Sequence, residues 1–264
     1  MPAKSMPVRS TISFFQARWE SVSDSTLVEE QPYGWVIVVV ATLCCALGFG
    51  ANVTVSMLVK PFEQEFGWSR AQISMAYTAL SVGAALGGIF WGSLSDRIGA
   101  KRIAFFGALV LSTSLIILSQ QSDLRVIHSI YFGIGALGFG SLFTPLLALV
   151  GLWFERRKGL AIGIVTAGGA LGQGVAPVII QWAITTTGWR DAMLYLGAGY
   201  LVIFMPLLAL LKQPPVLQAT PERISHSNDN LWGMPYRLTV PWLAFAGLFC
   251  CICMAVPIVH LVPL

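Results

Sequence analysis

Seven stretches of the chain, 34–58, 71–93, 103–121, 126–152, 159–183, 192–211 and 241–264, contain no Asp, Glu, Lys or Arg at all. Each approaches or exceeds the roughly 20 apolar residues that a helix needs to cross a hydrocarbon layer about 30 Å thick. In lipid every backbone N–H and C=O must be paired within its own segment, so helix is the form open to such stretches. The 16 basic and 12 acidic side chains of the 264-residue chain are confined to the connections between them. A soluble enzyme is excluded on this pattern, and the expected class is an all-α membrane protein.

The basic residues fall unevenly. Lys4, Arg9 and Arg18 precede the first span; Arg97, Lys101 and Arg102 follow the second; Arg156, Arg157 and Lys158 follow the fourth; Lys212, Arg223 and Arg237 follow the sixth. Lys60, Arg70, Arg125 and Arg190 occupy the alternate connections. The positive-inside rule therefore places the N-terminus and the loops after spans 2, 4 and 6 in the cytoplasm, and a multi-pass protein of the cell membrane is expected. Topology accounts for the net charge of +4 without a nucleic-acid partner. Trp35, Trp68, Trp91, Trp153, Trp182, Trp189 and Trp242 lie near span ends, where an amphipathic indole prefers the lipid–water boundary.

All five cysteines, Cys44, Cys45, Cys250, Cys251 and Cys253, lie inside spans and read as packing residues, with no disulfide framework, metal or cofactor implied. Residues 1–33 carry no signal-peptide core and read as a cytoplasmic tail. Residues 34–211 form a six-span bundle. The proline- and charge-bearing stretch 212–240 reads as a cytoplasmic linker, and 241–264 as the first helix of an incomplete second bundle. The chain stops with no polar flank after this span, which suggests a protein lacking its remainder. Small residues four apart, such as Gly83 with Gly87 and Gly168 with Gly172, predict close helix contacts, and Pro145, Pro177 and Pro206 predict bends.

The string Gly133-Ile134-Gly135-Ala136-Leu137-Gly138 fits the dinucleotide-binding pattern letter for letter. Its mid-span position, with no strand before it, rules that use out. No phosphate-binding loop, zinc-protease or nucleophile-elbow motif occurs, and span 7 has no lysine for a retinal Schiff base.

The loop Gly92-Ser93-Leu94-Ser95-Asp96-Arg97-Ile98-Gly99-Ala100-Lys101-Arg102 is more informative. Positive-inside charge explains Arg97, Lys101 and Arg102, but not a carboxylate bracketed by Gly92 and Gly99. The string resembles the signature loop of the major facilitator superfamily. Pro61-Phe62-x-x-Glu65-Phe66-Gly67-Trp68-Ser69-Arg70, Trp153-Phe154-Glu155-Arg156-Arg157-Lys158-Gly159-Leu160-Ala161-x-Gly163, Gly188-Trp189-Arg190 and His260-Leu261-Val262-Pro263 resemble its monocarboxylate and oxalate/formate transporter branch. Ser69 and Gln72 also form a capping box opening span 2.

The resemblance implies the N-terminal six-helix bundle of the major facilitator fold plus a seventh transmembrane helix. It implies a secondary active transporter, not an enzyme, carrying small organic anions such as monocarboxylates or dicarboxylates by alternating access, by exchange or proton symport. Asp96 is expected to pair with nearby basic residues and a helix N-terminus across the interface between halves, favouring the outward-facing state. Two departures stand out. Ser129 occupies the place of the superfamily's span 4 arginine, and spans 8 to 12, which carry the branch's carboxylate-binding cations, lie beyond this sequence. The candidate cavity residues are therefore neutral or weakly basic: Asn52, Tyr77, Thr144, Gln173 and His260. Asn52, Thr144 and Gln173 equally suit hydrogen bonding between helices, and Tyr77 the lipid–water boundary. The alternatives are a truncated, non-transporting membrane protein or sensor, and a superfamily transporter of another solute class. Oligomeric state is left open.

Overall fold

The computed structural model describes residues 32–154 and 156–212, together with Trp242, Phe245 and Ala246. The tail, most of the linker and span 7, with His260, lie outside the described residues. Six helices long and apolar enough to cross a membrane fill the described region: α1 (Tyr33–Phe66), α2 (Arg70–Ile98), α3 (Ala100–Leu118), α4 (Leu124–Trp153), α5 (Lys158–Thr187) and α6 (Trp189–Ala209). They correspond one to one with the first six charge-free stretches. Most run longer than those stretches, because a helix does not stop where hydrocarbon does. α1 has 34 residues and carries Lys60, Pro61, Glu63 and Glu65 in its last turns, beyond its charge-free part.

Local chemistry fixes the breaks between helices. Gly67 ends α1 at φ 66°, returning its N–H to the Glu63 carbonyl at 3.1 Å. The Ser69 hydroxyl and Gln72 side chain then form the expected reciprocal cap on α2. Gly99 alone joins α2 to α3, at φ 98°, a conformation that a side chain would strain.

Within lipid there is little hydrophobic force between helices, so close backbone approach supplies the packing. A Cβ placed on Gly83 would fall onto the Phe132 carbonyl of α4, one on Gly87 onto the Ala136 carbonyl, and one on Gly135 onto the Leu80 carbonyl of α2. Gly168 and Gly172 of α5 meet Thr42 and Ala46 of α1 in the same way. Both predicted pairs of small residues thus lie at helix contacts. α1 and α4 are the most buried helices, and α5 and α2 the least. Pro145, Pro177 and Pro206 sit within α4, α5 and α6, each of which continues through its proline.

The glycine-rich string that imitates a dinucleotide site becomes a π-helical segment, Ile134–Phe139, inside α4. A π segment disturbs the regular ladder, and side chains meet its carbonyls. Trp91 Nε1 donates across from α2 to the Ala136 carbonyl at 2.9 Å, and the Ser141 hydroxyl donates to the carbonyls of Leu137 and Gly138.

Candidate functional site

Asn52 stands on the central helix α1, half-buried, with its Oδ1 buried and without a hydrogen-bond partner. An unpaired buried polar atom costs on the order of 1–3 kcal/mol, so its retention calls for a reason. One turn earlier, Phe49 packs edge-on against Phe139 and Phe143 of α4, with ring centroids 4.9 and 5.3 Å away. Phe139 and Phe143 stack on one another at 5.3 Å. The Phe49 ring also lies against Gly169 of α5. Gln173 follows Gly169 by one turn and is half-buried. Asn52 and Gln173 each lie about one turn beyond a shared aromatic contact between α1 and α5.

The other candidates lie elsewhere. Thr144 is on α4 but faces α2: a Cβ on Gly88 would lie 3.3 Å from its hydroxyl oxygen, and one on Gly92 3.3 Å from its methyl. Gly92 therefore serves α2–α4 packing. Tyr77 is half-buried against the core on α2, and its carbonyl accepts from the Ser81 hydroxyl at 2.8 Å. A buried hydroxyl pair that the sequence did not flag, Thr54 with Tyr131 at 3.2 Å, joins α1 to α4. His128 contacts the Gln72 carbonyl at 2.9 Å, tying α4 to the start of α2.

The two ends of the bundle differ. At the end carrying the α1 N-terminus, Asp96 is exposed in the last turn of α2 and takes part in neither ion pair formed among the described residues. Arg97 shares that turn, where a cation suits the negative end of the helix dipole. Lys101 Nζ donates to the Ala209 carbonyl at the end of α6 at 2.9 Å, so one signature-loop lysine caps another helix. Close by, Tyr33 donates to the Leu210 carbonyl at 2.8 Å, and Lys212 lies 4.3 Å over the Tyr33 ring. Arg102, Arg156 and Arg157 are exposed.

At the opposite end, two motifs far apart in sequence converge. Arg190 Nη2 pairs with Glu65 Oε1 at 2.8 Å while the Trp189 indole donates to Glu65 Oε2. The Arg190 guanidinium lies 4.5 Å over the Trp189 ring and reaches the Ser119 carbonyl and Ser122 hydroxyl at 3.4 and 3.3 Å. The hydrogen bond from Arg190, followed by that from Trp189, holds the Glu65 carboxyl below the usual range. The two motifs stand 125 residues apart, and nothing in their local sequence shows that they meet.

Six apolar helices with an uncharged interior define an all-α membrane bundle among the described residues. The sequence profile of the Major Facilitator Superfamily matches residues 38–264, and the chain belongs to that superfamily. It is a multi-pass membrane protein of a transporter family, not an enzyme. It is 29% identical over 240 residues to human monocarboxylate transporter 12, covering 86% of this chain and 45% of that protein. It is 26% identical over 207 residues to the uncharacterized MFS-type transporter YcxA of Bacillus subtilis strain 168, covering 77% of this chain and 51% of that one. The chain spans about half the length of these relatives. In three dimensions it resembles a bacterial homolog of the human lysosomal transporter Spinster, solved inward-facing and unoccupied. The TM-score is 0.62 at 18% identity, over 70% of this chain and 44% of the other, a likeness that shows the fold.

Proposed function

We propose that the chain forms the N-terminal half of a secondary active carrier of small organic anions, monocarboxylates above all, working by alternating access with exchange or proton symport. The observation that carries this reading is the similarity, over most of the chain, to a relative named as a monocarboxylate transporter. The chemistry of the described spans is compatible with it. Their charge-free cores offer neutral hydrogen-bonding groups, Asn52 and Gln173, beside the Phe49–Phe139–Phe143 rings. A carboxylate with an apolar body would meet both kinds of surface, while the Thr144 position argues for a packing role on α2.

In this reading the N-terminus faces the cytoplasm, in keeping with the excess of Lys and Arg at that end. Asp96, with Arg97, Lys101 and Arg102, biases the equilibrium between inward- and outward-facing states through contacts that one state has and the other lacks. Substrate binding shifts that equilibrium by its own differential affinity. The test is uptake of radiolabelled pyruvate by cells expressing the complete carrier of which this chain would be the N-terminal half. We expect competition by other short monocarboxylates, none by sugars or amines, and impaired uptake in Asp96→Asn. Uptake indifferent to a carboxylate panel would remove the substrate assignment, and unchanged kinetics in Asp96→Asn would remove the gating role.

A further inference from the structure

α1 and α4 are the most buried helices of the bundle, yet three phenylalanines on them are only partly covered. Phe49 of α1 and Phe139 and Phe143 of α4 are half-buried, while Gly48, Leu142 and Leu146 beside them are buried. The rings are locked to one another. Phe139 and Phe143 stack with their planes 12° apart, and Phe49 stands edge-on to both, at 79° and 88°. Stacked and edge-to-face pairs are the arrangements aromatic rings prefer, so the three form a stiff apolar wall between α1 and α4.

The position of this wall is set from α5. A Cβ on the buried Gly169 would fall 2.6 and 2.7 Å from Phe49 Cδ2 and Cε2, too close for the ring to stay where it is. α1 and α5 run parallel, with Gly168 and Gly172 meeting Thr42 and Ala46 in order. Asn52 and Gln173 therefore both lie past the Phe49–Gly169 contact on the same side, and their amides limit the apolar strip there. The stretches 34–58, 126–152 and 159–183 contain no Lys or Arg, so α1, α4 and α5 offer a bound acid no cation at this depth. What they offer is a surface for its tail.

Resting on the reading of the chain as half of a monocarboxylate carrier, we propose that Phe49, Phe139 and Phe143 set the length of tail that the carrier accepts, with Gly169 as the positioning residue that keeps Phe49 back. A stiff apolar pocket discriminates by roughly 10–200-fold for one methylene that it cannot admit.

The experiment measures how well unlabelled straight-chain keto acids of increasing length compete with radiolabelled pyruvate for uptake by cells expressing the complete carrier. Unlabelled pyruvate is the reference within each variant, so expression level cancels. In the native carrier, potency should drop by roughly tenfold or more at one chain length. Phe143→Ala opens the wall and should move that drop to longer acids. Gly169→Ala pushes Phe49 off α5; with the stacked pair on its α4 side, the ring turns out toward the tail, and the drop should move to shorter acids. Gly174→Ala, on the same helix with nothing near its Cβ, should leave the profile unchanged. Loss of packing alone would lower uptake of every acid alike and could not shift the drop in opposite directions.

A length profile that stays put in Phe143→Ala and Gly169→Ala, or moves the same way in both, overturns the proposal and leaves the carboxylate reading standing. Pyruvate uptake that no keto acid suppresses overturns the carboxylate reading and the role of the wall with it. Should either variant fail to reach the membrane, Phe143→Leu and Phe49→Leu replace the pair. Both are smaller than the native ring, both must move the drop to longer acids, and an unmoved profile overturns the proposal.

Discussion

Glu65 at the end of α1 and Arg190 at the start of α6 lie 125 residues apart in the chain and 2.8 Å apart in space, with Trp189 donating to the second carboxylate oxygen. One carboxylate thus ties the first helix to the sixth, and Arg190 extends the tie to the α3–α4 connection through Ser119 and Ser122.

Both partners are about 40% exposed, so the ion pair alone is expected to contribute no more than about 1 kcal/mol. The stack on Trp189 adds about 0.5–1 kcal/mol. Arg190→Lys keeps the charge and loses the planar contacts, and should lower the melting temperature of the detergent-solubilised protein nearly as much as Arg190→Gln. A double-mutant cycle with Glu65→Gln measures the coupling; zero coupling would mean the clasp is ornamental to stability.

The same contact makes a pH prediction. Because the folded carboxyl is held below its unfolded range, Glu65 contributes stability that is fully present above the ordinary glutamate value of roughly 4.3 and is lost as pH falls through the lower folded value. Melting temperatures recorded from neutral pH down to about 3 should fall in that acid window. The fall should be shallower in Glu65→Gln.

Glycine positions on α2, α4 and α5 divide sharply. Gly87→Val and Gly135→Val would drive a side chain into the backbone of the facing helix and should cost at least about 1–3 kcal/mol, seen as aggregation or a lowered melting point. Nothing lies near a Cβ at Gly174, and Gly174→Ala should be neutral or slightly stabilising. A tolerated Gly87→Val would contradict the packing of α2 on α4.

Trp91→Phe keeps the ring and removes the donor to the Ala136 carbonyl in the π segment. The expected loss is about 1–3 kcal/mol, that of a partly buried carbonyl left unpaired. Faster backbone amide exchange over 134–139 in the variant would locate the effect, and unaltered exchange would argue against Trp91 holding that segment.

Much of the architecture was legible before any coordinates. The six spans, the Ser69–Gln72 cap and the small-residue contacts at Gly83, Gly87, Gly168 and Gly172 all stand in the structure. The candidate site was only partly legible. Asn52 and Gln173 share a neighbourhood around Phe49, whereas Thr144, named with them for its polarity in a span, is turned toward Gly88 and Gly92. The hydroxyl pair Thr54–Tyr131 and the role of Lys101 on α6 carried no signal in the chain order.

The reason lies in what each kind of information measures. Partition between water and lipid is settled within some 20 neighbouring residues, so the sequence alone determined where helices lie and at which end positive charge gathers. How each helix rotates about its axis depends instead on contacts between segments distant in the chain. Lipid is as apolar as most of the side chains it meets, so hydropathy does not distinguish a helix face that packs from one that greets the bilayer. The rotation that sets Thr144 against α2, the π turn at Ile134–Phe139 and the meeting of Glu65 with Arg190 were decided only by contacts between segments that come together in three dimensions.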